Sequence, residues 1–135
     1  MVRSLVDGSI AVVGASLAGL RAAETLRQEG FGGTIHLVGD EPHAPYARPP
    51  LSKQILSGDW DFEKTPLSTD DEFAALDLTL HLGNAATALD ADALTVTLAS
   101  GTTLDVDGVV IATGARPRTI GEPVSYTHLT LPTKA

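Results

Sequence analysis

The sequence has 135 residues, 43% of them hydrophobic, enough for one domain that buries about two-thirds of its unfolded surface. Nine Lys and Arg against 17 Asp and Glu give a formal net charge of −8, which disfavours phosphate backbones and anionic membranes and argues against a nucleic-acid partner. The absence of cysteine excludes, within this chain, a disulfide framework, a thiolate zinc site, a cysteine-held iron–sulfur cluster and a redox dithiol, so any redox chemistry belongs to a bound cofactor.

The longest apolar stretch, Ile10 to Leu20, is too short to span a bilayer and is interrupted by Gly14 and Gly19. Arg3 ahead of it gives the start a faint likeness to a secretory signal, but Arg21, Glu24 and Arg27 follow where a cleavage site should stand. The expectation is a soluble cytoplasmic protein with no membrane partner.

Within that stretch, Ser9 to Val13 is an apolar run closed by Gly14, the pattern of a strand buried on both faces of a parallel sheet. From Leu17 the period changes. Leu17, Leu20, Ala23 and Leu26 share one helical stripe, Arg21, Glu24, Arg27 and Gln28 face away, and Gly30 is a stop. Thr34 to Val38 reads as a second strand, completing a βαβ unit. Four prolines make Asp40 to Pro50 a stiff loop, and Leu51 to Leu56 is predicted to be a short helix with Ser52 near its start. Asp59 to Asp77 carries seven acids and one lysine, an exposed stretch with a short helix near Asp70 to Leu76. Leu78 to Leu82 is a predicted strand. Ala86 to Leu89, Thr95 to Leu98 and Thr103 to Asp105 alternate around turn residues as a small meander, and Val109 to Ala112 returns to the buried-strand pattern. The tail, 124–135, has no cap, turn or continuing period. Its VSYTHLTLPT looks like one reading frame of a transposon-end adapter, so a non-native or disordered tail is expected after Pro123.

Gly14-Ala15-Ser16-Leu17-Ala18-Gly19 is a G-x-G-x-x-G motif with Ser at the second glycine. Gly14 permits a tight turn, Gly19 close helix–strand packing, and the first N–H groups of the helix point at a pyrophosphate. Asp40 stands just after the second strand, where an acid binds a ribose hydroxyl. The plainer reading is that these small residues serve only βα packing. A sharper competitor is the nucleophile elbow of serine hydrolases, from which Gly14-Ala15-Ser16-Leu17-Ala18 differs by one position; of His36, His43, His81 and His128, none has a convincing triad place. The four histidines show no metal-binding spacing, so no metal site is expected.

The combination of VVGASLAGLRAAETLR, LVGDEPHAPYARPPLSK and VVIATGARPR resembles the amino-terminal part of FAD-dependent, NAD(P)H-linked ferredoxin reductases of the pyridine nucleotide-disulfide oxidoreductase superfamily, over about Ser9 to Arg118. The most specific stretch is Tyr46-Ala47-Arg48-Pro49-Pro50-Leu51-Ser52-Lys53. The resemblance implies an α/β fold: a Rossmann-like FAD-binding βαβ unit with a parallel sheet and a small antiparallel β-meander, in an incomplete domain. It implies that 1–123 is the amino-terminal part of an FAD/NAD(P)-binding domain. It sets the FAD pyrophosphate against Gly14, Ala15, Ser16, Leu17, Ala18 and Gly19, and the ribose near Asp40 with Glu41 as a substitute. Arg48 is implied near the phosphates or ribose, Pro49 and Pro50 as a wall on the flavin side, and Lys53 at the isoalloxazine ring as the catalytic residue. Ala86 meets adenine through its backbone, and Ala112, Thr113 and Gly114 approach from the last strand. Chemically, Arg48 offers a fork for phosphate oxygens and Lys53 a charge beside the reduced flavin, although the loop could be stiffened for stability alone and Lys53 could be an ordinary solvated residue. The implied reaction takes hydride from NAD(P)H and passes single electrons to a 2Fe–2S ferredoxin, an activity this chain alone is not expected to show. Relatives with a redox disulfide carry a C-x-x-x-x-C pair near this loop, which this chain lacks. A non-catalytic dinucleotide-binding module and a plain NAD-dependent dehydrogenase fragment remain as alternatives.

Overall fold

The computed structural model describes residues 5–118; the predicted tail 124–135 and His128 lie outside them. Two sheets make up the fold. Four parallel strands run in the order β3-β2-β1-β7, and three antiparallel strands in the order β4-β5-β6. β1 is Ser9–Val13, β2 Thr34–Val38, β3 Leu78–His81, β4 Ala86–Asp90, β5 Thr95–Leu98, β6 Thr103–Asp105 and β7 Gly108–Ile111.

Strand alternation divides the core in two. Ile10 and Val12 of β1, with Ile35 and Leu37 of β2, point to one face and pack with Ala23 of the helix α1 (Leu17–Gln28) and with Phe31. Ala11 of β1 and Val38 of β2 point to the other face and pack with Val96, Leu98, Leu104 and Val106 of the meander. This two-sided burial of β1 is what its unbroken apolar run predicts. The sheet therefore lies between a helix and a second sheet, the α/β architecture with an antiparallel meander expected from the sequence.

Gly30 ends α1 as predicted, with φ +89°. Its N–H donates to the Arg27 carbonyl and that of Phe31 to the Leu26 carbonyl, at 3.1 and 2.9 Å, while Phe31 packs into the core beside Leu26. This is a Schellman closure with its hydrophobic contact. The short helix α2, Asp70–Ala75, starts from a Thr69/Glu72 capping box, visible in the sequence as T-x-x-E; the Thr69 N–H bond is the main cause holding the Glu72 carboxyl below its ordinary value.

Four expectations are corrected. Leu51 to Leu56 forms no α-helix: Pro49–Ser52 is a single 3₁₀ turn, followed by turns. The prolines at its first positions are no obstacle to an α-helix, but Leu56, 79% exposed, offers no buried face to repay one. Leu17 leaves the apolar stripe and is 51% exposed, because the first residue of α1 faces a cleft, not the core. Arg27 does not face away. Its Nε donates to the Leu76 carbonyl at 2.8 Å, and Nη1 donates to those of Phe31 and Gly33 at 2.7 and 2.8 Å, so its fork collects carbonyls that the chain leaves unpaired between elements. Val109 to Ala112 is not a buried strand: β7 is the outer strand among the described residues, its residues are half-buried, and Ile111 is 69% exposed.

Candidate functional site

The carboxyl ends of β1, β2 and β7 open into a cleft of about 740 Å³, within the range of small-molecule sites. Open parallel sheets place ligands there, where chain connections diverge to either side of a central strand; α1 carries the chain from β1 to β2, and β7 flanks β1 on its other side.

Gly14 makes the turn at its floor. Its φ is +120°, and a β-carbon there would collide with the Ala112 carbonyl oxygen; its N–H donates to the Val38 carbonyl at 2.8 Å. One residue thus joins the ends of three strands. A β-carbon on Gly19 would in turn collide with the Gly14 carbonyl, so the last glycine of the motif serves the packing of α1 on β1. Ser16 is the N-cap of α1, yet its side chain makes no capping hydrogen bond. The first turn, with Leu17 and Ala18 in the cleft wall, keeps its leading N–H groups without a side-chain cap, as an anion site requires.

The loop after β2 brings charge to this turn. Arg48 Nη2 donates to Glu41 Oε1 at 2.7 Å and Nε reaches Ser16 Oγ at 3.4 Å. Tyr46 donates its hydroxyl to Glu41 Oε2 at 2.6 Å, and the Arg48 guanidinium lies 5.4 Å from the Tyr46 ring centre. The Tyr46 hydroxyl, with the Arg48 guanidinium and the charge of His43, holds the Glu41 carboxyl below its ordinary range against the opposing effect of burial. The same carboxylate, together with burial, raises the Tyr46 phenol above its ordinary range. Asp40 also lines the cleft, is exposed, and has no side-chain hydrogen bond among the described residues.

Of the residues singled out in the sequence, Gly14, Ser16, Leu17, Ala18, Asp40, Glu41, Arg48, Ala86, Ala112, Thr113 and Gly114 line this one cleft. Ala15 does not: it packs beneath Gly39, whose missing β-carbon leaves it room. Pro49, which opens the 3₁₀ turn, and Lys53, which caps its end, are both exposed and outside the lining. Sequence reasoning missed Arg116, a second cation in the wall, and the part played by Tyr46; the signal for Tyr46 was its place beside Arg48 in the quoted motif. Among the described residues Ser16 meets no imidazole. His36 Nδ1 lies 3.0 Å from His81 Nε2, and the His43 ring packs near Tyr46 and Phe62, so the hydrolase elbow finds no base. No three His, Cys, Asp or Glu side chains of the described residues converge on a metal position, and none of their helices is long and apolar enough to cross a membrane.

The profile of the pyridine nucleotide-disulphide oxidoreductase family matches residues 8–131. The chain belongs to that family. Within the pyridine nucleotide-disulphide oxidoreductases, it is 43% identical over 117 residues to the ferredoxin reductase component of chlorobenzene dioxygenase from Cupriavidus sp. strain PS12, covering 86% of this chain and 28% of that protein. It is 44% identical over 115 residues to rhodocoxin reductase of Rhodococcus erythropolis, covering 85% and 27%. Among solved structures, the covalent putidaredoxin reductase–putidaredoxin complex superimposes with a TM-score of 0.78 at 40% identity, covering 86% of this chain and 28% of that one. The chain therefore spans somewhat over a quarter of the length of these relatives.

Proposed function

We propose that this chain is the FAD-binding amino-terminal part of a cytoplasmic flavoprotein that takes hydride from NAD(P)H and passes electrons singly to a 2Fe–2S ferredoxin. The observation that carries the reading is the uncapped first turn of α1 with Arg48 beside it, at the switch point of a parallel sheet. Support comes from the relatives, one named as a ferredoxin reductase component and the other as a rhodocoxin reductase.

In this reading the N–H groups of Leu17 and Ala18 and the free edge of Arg48 bind the pyrophosphate, and Ser16 is small enough to let it approach. Asp40 accepts from the ribose hydroxyls. Ala86 meets adenine through its backbone, and Ala112 to Gly114 close the opposite wall. Pro49 and Pro50 form a preset surface further along the cofactor, where Lys53 sets a positive charge against the isoalloxazine ring. FAD, when bound, supplies a centre that accepts two electrons at once and releases them one at a time. The chain's own part is to bind and orient that group and to hold a cation beside it.

Titrating the purified 135-residue chain with FAD and following the quenching of flavin fluorescence tests the binding claim. Saturable one-to-one quenching that ADP reverses is expected. A chain that binds NADH but not FAD points instead to a nicotinamide dehydrogenase fragment and overturns the reading.

A further inference from the structure

We propose that Tyr46 is a positioning residue that acts through Glu41 on Arg48. The inference rests on reading the cleft as a dinucleotide site and goes beyond it.

Both carboxylate oxygens of Glu41 are in use, Oε2 by the Tyr46 hydroxyl and Oε1 by Arg48 Nη2. Each of these oxygens keeps a further lone pair, but the two bonds already made fix the carboxylate between Tyr46 and Arg48. Tyr46 itself is held from several sides. Its ring centre lies 5.2 Å from that of Phe62 and 6.4 Å from that of His43. Its backbone bridges to Pro66, and its neighbour Ala47 donates an N–H to the carbonyl of Thr65 at 2.7 Å. Thr65 is buried and donates its hydroxyl to the Phe62 carbonyl. The 62–66 segment thus fixes the tyrosine, the tyrosine fixes the carboxylate, and the carboxylate fixes one edge of the guanidinium.

Arg48 gains a defined orientation from this chain of contacts. The Tyr46 ring lies 5.4 Å away, Glu41 takes one Nη2 hydrogen, and Ser16 draws Nε toward the motif turn. Among the described residues no partner takes the two Nη1 hydrogens or the second one on Nη2, which leaves them for an anion. Arg48 is 56% exposed, so without these contacts it would sample many rotamers and lose them on binding a phosphate. Tyr46 is therefore expected to raise affinity for the pyrophosphate by ordering Arg48 beforehand.

The test uses ADP and adenosine as probes on the 135-residue chain, measured by calorimetry. Tyr46→Phe should weaken ADP binding by roughly three- to tenfold, the range for ordering one rotamer-rich side chain, and leave adenosine unchanged. In an Arg48→Ala background the same substitution should change neither. Equal loss for both probes, an undiminished effect without Arg48, or no loss at all overturns the proposal. An independent readout needs no cofactor. In a Tyr126→Phe background, Tyr46 should ionise above the ordinary phenol range, and Glu41→Gln should bring it down. A phenol that titrates in the ordinary range overturns the proposal, whereas failure of the wild-type chain to bind either probe overturns the reading of the cleft and leaves the phenol measurement to decide the positioning claim.

Discussion

A β-carbon on Gly14 would collide with the Ala112 carbonyl oxygen, so the end of the last described strand packs against the turn only because the first position of the motif is glycine. The contact joins residues 98 positions apart in sequence and makes the floor of the cleft a single unit. Gly14→Ala must adopt a positive φ, which costs about 1–2 kcal/mol for a non-glycine residue, and must push β7 away as well. Urea unfolding should show a loss of more than about 2 kcal/mol, with FAD quenching lost in the same variant. A variant of unchanged stability would show that β7 does not pack on the turn.

Arg27 ties the end of α1 to the entry of β2 and to the α2–β3 connection, the last through the Leu76 carbonyl and, at 3.1 Å, that of Asp77. A lysine cannot reproduce the fork. Arg27→Lys and Arg27→Ala should both lose roughly 2 kcal/mol, the scale of charge-assisted hydrogen bonds, and hydrogen exchange should quicken around residues 76–78. If the lysine variant retained full stability, charge and not geometry would be responsible.

His36 and His81, brought together by the parallel pairing of β2 and β3, give a pH dependence. Burial, and then the neighbouring His81, lower the His36 pKa from the ordinary 6.5. A histidine depressed in the folded state stabilises the fold while neutral, so this contribution is present above pH 6.5 and is lost as pH falls through the lowered folded value. Urea midpoints should therefore fall on acidification below pH 6.5, and His36→Gln should flatten that part of the profile. A wild-type profile equally flat from pH 7.5 to 5 would contradict the depressed pKa.

Lys53 carries the chemical part of the proposed function. If its ammonium lies against the flavin, Lys53→Ala should make the potential of bound FAD more negative by roughly 20–40 mV, equivalent to about 1–2 kcal/mol for two electrons, while FAD affinity changes little. Spectroelectrochemistry of the bound flavin checks this. An unchanged potential with weakened binding would recast Lys53 as a structural contact.

Local chemistry made much of this protein legible from sequence alone. The unbroken apolar run Ser9–Val13, the glycine turn, the Gly30 stop and the period-two segments of the meander each follow from backbone sterics and side-chain periodicity, which act over a few residues. The βαβ unit and the position of Asp40 after its second strand come from the same short-range rules. Tertiary structure decided what depends on a partner far along the chain. Arg27 reads as a solvated helix residue until carbonyls from two other elements arrive beside it, and Leu17 belongs to the apolar stripe until the cleft opens at the helix start. Leu51 to Leu56 lacks a face to bury, which no local pattern reveals. Glu41 and Asp40 are adjacent acids in the sequence, and only the tertiary structure brings Tyr46 and Arg48 to the two oxygens of Glu41 while Asp40 makes no side-chain hydrogen bond among the described residues. Periodicity reports which side of an element is apolar; which group satisfies a given charge or carbonyl is settled only when distant segments meet, because hydrogen bonds act over about 3 Å and require direction.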